Sequence, residues 1–248
     1  MKLAKLPNGE PEIFHTLQGE GLNLGLPAVF IRSSLCNLHC VWCDTDHTWN
    51  FEGTPWTHEK DTHTDYEKFS KSECIIDMKI SEIADRVRAF SCEHLVLTGG
   101  EPLLHMEDWF YLLSELGPSY TTEVETNGTI VPSDQFARYV HQWNVSPKLS
   151  GSGNAGHLRL KKDALDFFTA DPRSVFKFVI TNEDDFAEME ALIDKFFISR
   201  DTVLLMPEGR TKAGQDESKL WLAEKCIKSG YRFTPRLHID LWGDKRGV

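Results

Sequence analysis

A chain of 248 residues, 40% of them hydrophobic, is long enough for one large domain with a full core. Its formal net charge of −11 argues against a nucleic-acid surface as the main partner, because phosphate binding calls for a basic stripe. The opening residues MKLAKLPNGEPEIFHTL hold no apolar core of signal-peptide length, and no run approaches a membrane span. A cytosolic location is therefore expected, with the six cysteines present as free thiols or metal ligands rather than disulfides.

Along the chain, short apolar runs rich in β-formers fall at Ala28–Arg32, His94–Thr98, Thr121–Thr126, Trp143–Ser146, Val175–Ile180, Thr202–Met206 and Tyr231–His238. Helical spacing occupies several of the intervals. Ile80–Phe90 carries Ile80, Ile83, Ala84 and Val87 on one face, and Asp184–Phe197 carries Phe186, Met189, Ile193 and Phe197. Asp216–Ser229 ends at Gly230, where a helix stop is expected. Strands alternating with helices imply an α/β fold with parallel pairing, here a full or partial (β/α) barrel of TIM type in a single domain over residues 1–248. Thr48–Ser72 breaks the rhythm: it is polar and reads as an inserted, mobile segment after the first cysteine cluster.

That cluster is Cys36-Asn-Leu-His-Cys40-Val-Trp-Cys43. Three thiolates spaced by three and then two residues can reach three corners of one iron–sulfur cluster and leave the fourth iron open. A structural zinc site is the competing reading; it needs a fourth ligand, for which His39, His47 or Cys74 could serve. Further polar clusters close later strands: Thr98-Gly99-Gly100-Glu101-Pro102, Glu125-Thr126-Asn127-Gly128, Ser146-Pro147-Lys148, Met206-Pro207-Glu208-Gly209 and His238. In α/β barrels the loops after the strands build the active face, whereas residues kept for stability would be scattered.

The C-x3-C-x2-C loop resembles the signature of the radical S-adenosylmethionine superfamily. Taken with Thr16-Leu17-Gln18-Gly19-Glu20-Gly21, the continuation Asp44-Thr45, and the tail Leu241-Trp242-Gly243-Asp244-Lys245-Arg246-Gly247-Val248, it resembles the 7-carboxy-7-deazaguanine synthase family from Glu12 to Val248. The resemblance implies ring contraction of 6-carboxy-5,6,7,8-tetrahydropterin with loss of ammonia, started by a 5′-deoxyadenosyl radical, with S-adenosylmethionine regenerated. It also implies a [4Fe–4S] cluster on Cys36, Cys40 and Cys43, and a Mg²⁺ on Thr45. S-adenosylmethionine would lie along Trp42, Asp44, Gly100, Glu101, Ser146, Pro147, Lys148 and the stretch Leu205, Met206, Pro207 and Glu208, where the family often carries Gln-Pro-Met-Asp. The pterin would meet Leu17, Gln18, Gly19, Glu20, Arg32, Thr98, His238 and the Val248 carboxylate, delivered by a tail anchored through Trp242. An external electron donor and a homodimer are expected on the same ground.

Each residue also has an ordinary alternative. Arg32 and Glu20 could form a surface pair, Thr45 a turn, His238 a packing contact, and the tail could fray. Two other classes use the same loop: an activase that installs a glycyl radical on a protein, and a non-enzymatic zinc adaptor. Neither has a use for TLQGEG or a closing tail. Cys74, Cys92 and Cys226 lack partners at cluster spacing and read as incidental thiols.

Overall fold

The parallel strands are apolar on one face and carry occasional polar residues on the other. On β5 (His94–Gly99), Leu95 and Leu97 alternate with Val96 and Thr98; on β6 (Thr121–Thr126), Val124 sits between Glu123 and Glu125. Successive strand side chains point to opposite faces, so β5, β6 and most of the other parallel strands offer one apolar face and one with polar groups. In the computed structural model the apolar set packs into the main core. Val29, Ile31, Leu95, Leu97, Val124, Trp143, Phe176, Phe178, Val203 and Leu205 meet the helices there. The other set, including Arg32, Thr98, Glu125, Lys177 and Met206, lines a central cavity. The structure describes residues 1–248 apart from the side chains of Gln215 and Glu217.

The remaining strands are β1 (Lys2–Ala4), β2 (Ile13–Leu17), β3 (Pro27–Ser33), β4 (Ile75–Asp77), β7 (Gln142–Val145), β8 (Ser174–Ile180), β9 (Val203–Pro207) and β10 (Arg232–Phe233). They form one sheet in the order β10-β9-β8-β7-β6-β5-β3-β1-β4, with β2 also on β3. From β3 through β10 every pairing is parallel, while β1 and β2 run antiparallel to β3. Of the two expected forms, the chain takes the partial barrel: β10 and β4 end the sheet without pairing to each other.

Two expectations need correcting. The run Tyr231–His238 is not one strand. Only Arg232–Phe233 pairs with β9; Pro235 has no N–H to donate, and a helix Leu237–Trp242 begins two residues later, so His238 is helical. The segment Thr48–Ser72 is also not a loose polar excursion. It buries Trp49, Phe51 and His58, and it is tied to the cysteine loop. The His58 imidazole Nε2 lies 2.9 Å from the Cys43 carbonyl oxygen, and Trp56 stacks on His39 at 3.9 Å between ring centroids.

Candidate active site

The cysteine loop follows β3 and is held on two sides. Asn37 accepts from Asn127 Nδ2 at 2.9 Å and donates to Thr129 Oγ1 at 2.8 Å, which joins it to the loop after β6. Val41 N–H donates to the Ser152 carbonyl at 3.0 Å on the other side. Each sulfur has a polar neighbour: Leu38 N–H at 3.4 Å from Cys36 Sγ, Asn154 Nδ2 at 3.3 Å from Cys40 Sγ, and Thr45 Oγ1 at 3.5 Å from Cys43 Sγ. The Gly100 backbone passes so near the loop that a Cβ there would collide with the Leu35 carbonyl, so only glycine admits this approach.

All three cysteines open onto one cavity of about 270 Å³. Burial pushes the three free thiols up, Cys40 to about 12. A positively charged iron centre would offset that cost, which is how thiolate sites couple to their metal. Of the zinc reading's extra ligands, neither His39, stacked on Trp56, nor Cys74 lines the cavity, and His47, which does, faces Glu12.

The same cavity is lined by Leu17, Gln18, Gly19, Glu20, Arg32, Trp42, Asp44, Thr45, Thr98, Gly100, Ser146, Lys148, Met206, Glu208, His238 and Val248. Lys148 Nζ donates to Ser146 Oγ at 2.9 Å and lies 6.0 Å from the Trp42 ring centroid. A Cβ on Gly19 would strike the His238 ring, so the glycine lets the loop after β2 pass directly beneath the imidazole. Burial holds His238 below its usual pKa, which favours the neutral ring.

Four expected contacts stand back from the cavity. Leu205 and Pro207 share the outward register of β9 with Val203, so Met206 is the residue of that strand that faces inward. Pro147 does not line the cavity either. Glu101 is fully buried and turned away. Its carboxylate accepts from Leu103 N–H at 3.0 Å, Thr126 Oγ1 at 2.8 Å and Asn127 N–H at 2.7 Å, so it clamps the glycine turn to the loop after β6. Gln18 lines the cavity, but its side chain is engaged with protein: the amide donates to Glu123 at 3.2 Å, and its carbonyl accepts from Glu20 N–H at 3.3 Å.

Residues 30–146 match the model of the Radical SAM superfamily. Two relatives named 7-carboxy-7-deazaguanine synthase align along nearly the whole chain. The one from Pyrobaculum aerophilum is 36% identical over 95% of both chains. The one from Halobacterium salinarum is 37% identical over 94% of this chain and 90% of its own length. The chain belongs to the 7-carboxy-7-deazaguanine synthase family. The crystal structure of QueE from Escherichia coli shares the fold, with a TM-score of 0.61 and 24% identity over 96% of this chain and 95% of that one.

Against the family's familiar motifs, the wall opposite the cysteines holds residues that periodicity and motif reading passed over. Lys177, in the middle of β8, donates to Glu20 at 2.5 Å and to Glu125 at 2.8 Å. Arg236 donates to Glu20 at 3.1 Å and to the Gly209 carbonyl at 2.9 Å, and it pairs with Asp44. Burial alone would raise Glu20; Lys177 and Arg236 outweigh it and hold the carboxyl at about 2. Glu125, beside Glu20 and Glu123, is instead pushed up by burial and by those charges. One signal was available: a lysine centred in SVFKFVI, a run otherwise buried nearly end to end, demands an acidic partner inside the fold.

Proposed function

We propose that this chain converts 6-carboxy-5,6,7,8-tetrahydropterin to 7-carboxy-7-deazaguanine with loss of ammonia, in deazapurine and queuosine biosynthesis. The observation that carries the reading is a single cavity lined by two dissimilar sets of residues: three cysteines with Ser146 and Lys148, and Thr16 to Glu20 with Arg32, His238 and Val248. Neither a zinc adaptor nor a protein activase has a use for the second set.

Cys36, Cys40 and Cys43 would hold the [4Fe–4S] cluster, and Trp42, Asp44, Gly100, Ser146, Lys148, Met206 and Glu208 would receive S-adenosylmethionine. Glu101, Pro147, Leu205 and Pro207 support those residues from behind. When bound, the cluster and S-adenosylmethionine would together supply abstraction and return of one hydrogen atom. The chain's own residues bind and orient. Glu20, kept ionised by Lys177 and Arg236, is an acceptor suited to the N–H donors of a pterin's amino-pyrimidine edge. Leu17, Gln18 and Gly19 bring backbone groups to the ring, and Thr98 a hydroxyl. Arg32 presents a planar fork to the substrate carboxylate. Neutral His238 can accept or donate one proton at the ring, and Val248 closes the cavity. Thr45, whose hydroxyl stands at the cavity beside Cys43, offers Mg²⁺ an oxygen ligand that leaves room for substrate oxygens.

The reading takes residues 1–248 as one radical S-adenosylmethionine domain that works as a cytosolic homodimer and is served by an external electron donor. No helix among the described residues is long and apolar enough to cross a membrane. The test is anaerobic incubation of reconstituted protein with the tetrahydropterin, S-adenosylmethionine and a reductant, followed by mass analysis. A product lighter than substrate by one ammonia, and active site residues required for it, supports the assignment; intact pterin overturns it.

A further inference from the structure

Glu12, just before β2, is 1% exposed and belongs to none of the motifs above. Its backbone is pinned on both sides: its N–H donates to the Ala4 carbonyl at 2.8 Å, and its carbonyl accepts from Arg32 N–H at 3.1 Å. The carboxylate is shared among three basic side chains. Oε1 accepts from Arg32 Nε at 2.9 Å, Oε2 accepts from Arg246 Nη2 at 2.6 Å, and His47 Nε2 lies 3.3 Å from Oε2. Burial would raise this carboxyl; Arg32, His47 and Arg246 hold it well below the usual range. An acid so buried is retained only when its partners satisfy it.

We propose that Glu12 is a positioning residue that makes the setting of Arg32 and the seating of the tail one event. Binding through Nε fixes the guanidinium plane of Arg32 and leaves its paired Nη edge for a ligand in the cavity. The other oxygen fastens Arg246, which also donates to the Lys5 carbonyl at 3.0 Å, while Gly247 lies against Leu6. Val248 is two residues beyond Arg246, a reach of only about 7 Å in extended chain. Fastening Arg246 therefore decides where Val248 stands. Thr16, Leu17 and Val248 border both the reaction cavity and a groove on the outer side of β2, so the fastened tail is the partition between them.

The inference rests on the reaction proposed above, and its test separates the two. Reconstituted wild-type protein is compared with Glu12→Gln, Arg246→Gln and the double variant. Amide exchange over residues 243–248 is read by mass spectrometry, and KM and kcat for the tetrahydropterin are read beside it. Each single variant is expected to speed tail exchange and raise KM about tenfold, as loss of one charge-assisted bond would, with a smaller change in kcat. The double variant is expected to be no worse than the stronger single. Multiplying effects in the double variant, or tail exchange unchanged in Glu12→Gln, overturn the coupling. If Glu12→Gln does not fold, Arg246→Gln reads the same latch from the tail side, and unchanged exchange there overturns it equally. A wild-type protein that leaves the pterin intact sinks the reaction, while tail exchange still decides the latch.

Discussion

The two walls of the cavity are built by different physics. The cysteine wall is held mainly by uncharged hydrogen bonds of Asn37, Asn127, Thr129 and Asn154, with the buried Glu101 carboxylate and Lys148 as its charged members, and Gly100 lets two backbones touch. The facing wall is ionic. Glu20, Lys177, Glu125 and Arg236 form one chain of buried charges that reaches across to the half-exposed Asp44 beside Cys43, and Glu12, Arg32 and Arg246 form another. The field at the cysteines comes from few charges, Glu101 near Cys36, Lys148 near Cys40 and Asp44 near Cys43. Buried ion pairs instead create fixed donors and acceptors at defined places, at the cost of desolvating each charge. Uncharged bonds predominate on one side and ion pairs on the other.

The largest break in this contrast comes from the cysteines. Replacing Cys36, Cys40 or Cys43 with Ala should abolish iron content, colour and turnover, whereas Ser at Cys74, Cys92 or Cys226 should leave iron per chain unchanged. Iron loss in any of the latter three reassigns the ligands. On the ionic wall, Lys177→Met leaves Glu125 without its cation and Glu20 with Arg236 alone, and should cost about 3–5 kcal/mol of stability in denaturant titration. A loss under about 1 kcal/mol would mean the pair is solvated rather than buried.

Removing Gly247 and Val248 should leave the fold and the iron content intact and weaken apparent substrate affinity roughly ten- to hundredfold; equal affinity would take Val248 out of the site. Thr45→Ala should keep the cluster and reduce magnesium stimulation several-fold, and an unaltered magnesium titration removes Thr45 from metal binding. The smallest effect is on acid stability. Glu20 falls from an ordinary 4.5 to about 2 on folding, so its contribution is complete above about pH 4.5 and is lost as pH drops toward 2. Glu12 and Asp44, also depressed, add the same sign; Glu101 and Glu125, raised, have the opposite sign and oppose loss at milder acidity. Melting temperature should hold to about pH 5 and then fall by roughly 5 °C or more. A flat profile down to pH 3 would show the ionic wall to be unimportant for folding.

The same contrast explains what the sequence made legible. The cysteine wall is written in one eight-residue loop and in short motifs that each end a strand, so spacing and β/α rhythm located it. The ionic wall joins residues 157, 216 and 234 positions apart (Lys177 to Glu20, Arg236 to Glu20, Arg246 to Glu12), and pairing at that separation leaves no local pattern. Leu205 entered the expected site by alignment with a family motif, but strand alternation sends it outward. His238 was expected on a strand because Tyr231–His238 is rich in β-formers, and Pro235 breaks that run. Barrel closure depends on whether the two outer strands meet, which strand count alone does not determine.

The donors that stand beside the three sulfurs have a consequence in terms of reduction potential. A hydrogen bond to a cluster thiolate stabilises the more negative, reduced state and raises the potential. Cys40 takes its donor from Asn154, a side chain 114 residues away on the loop after β7, while Cys36 takes its from the cysteine loop's own backbone. One ligand's share of the potential is thus adjustable by a side-chain substitution and another's is not. Asn154 also accepts from the His39 N–H at 2.9 Å, so a substitution at position 154 would shift the voltage at which an electron enters the proposed cluster and loosen the cysteine loop together.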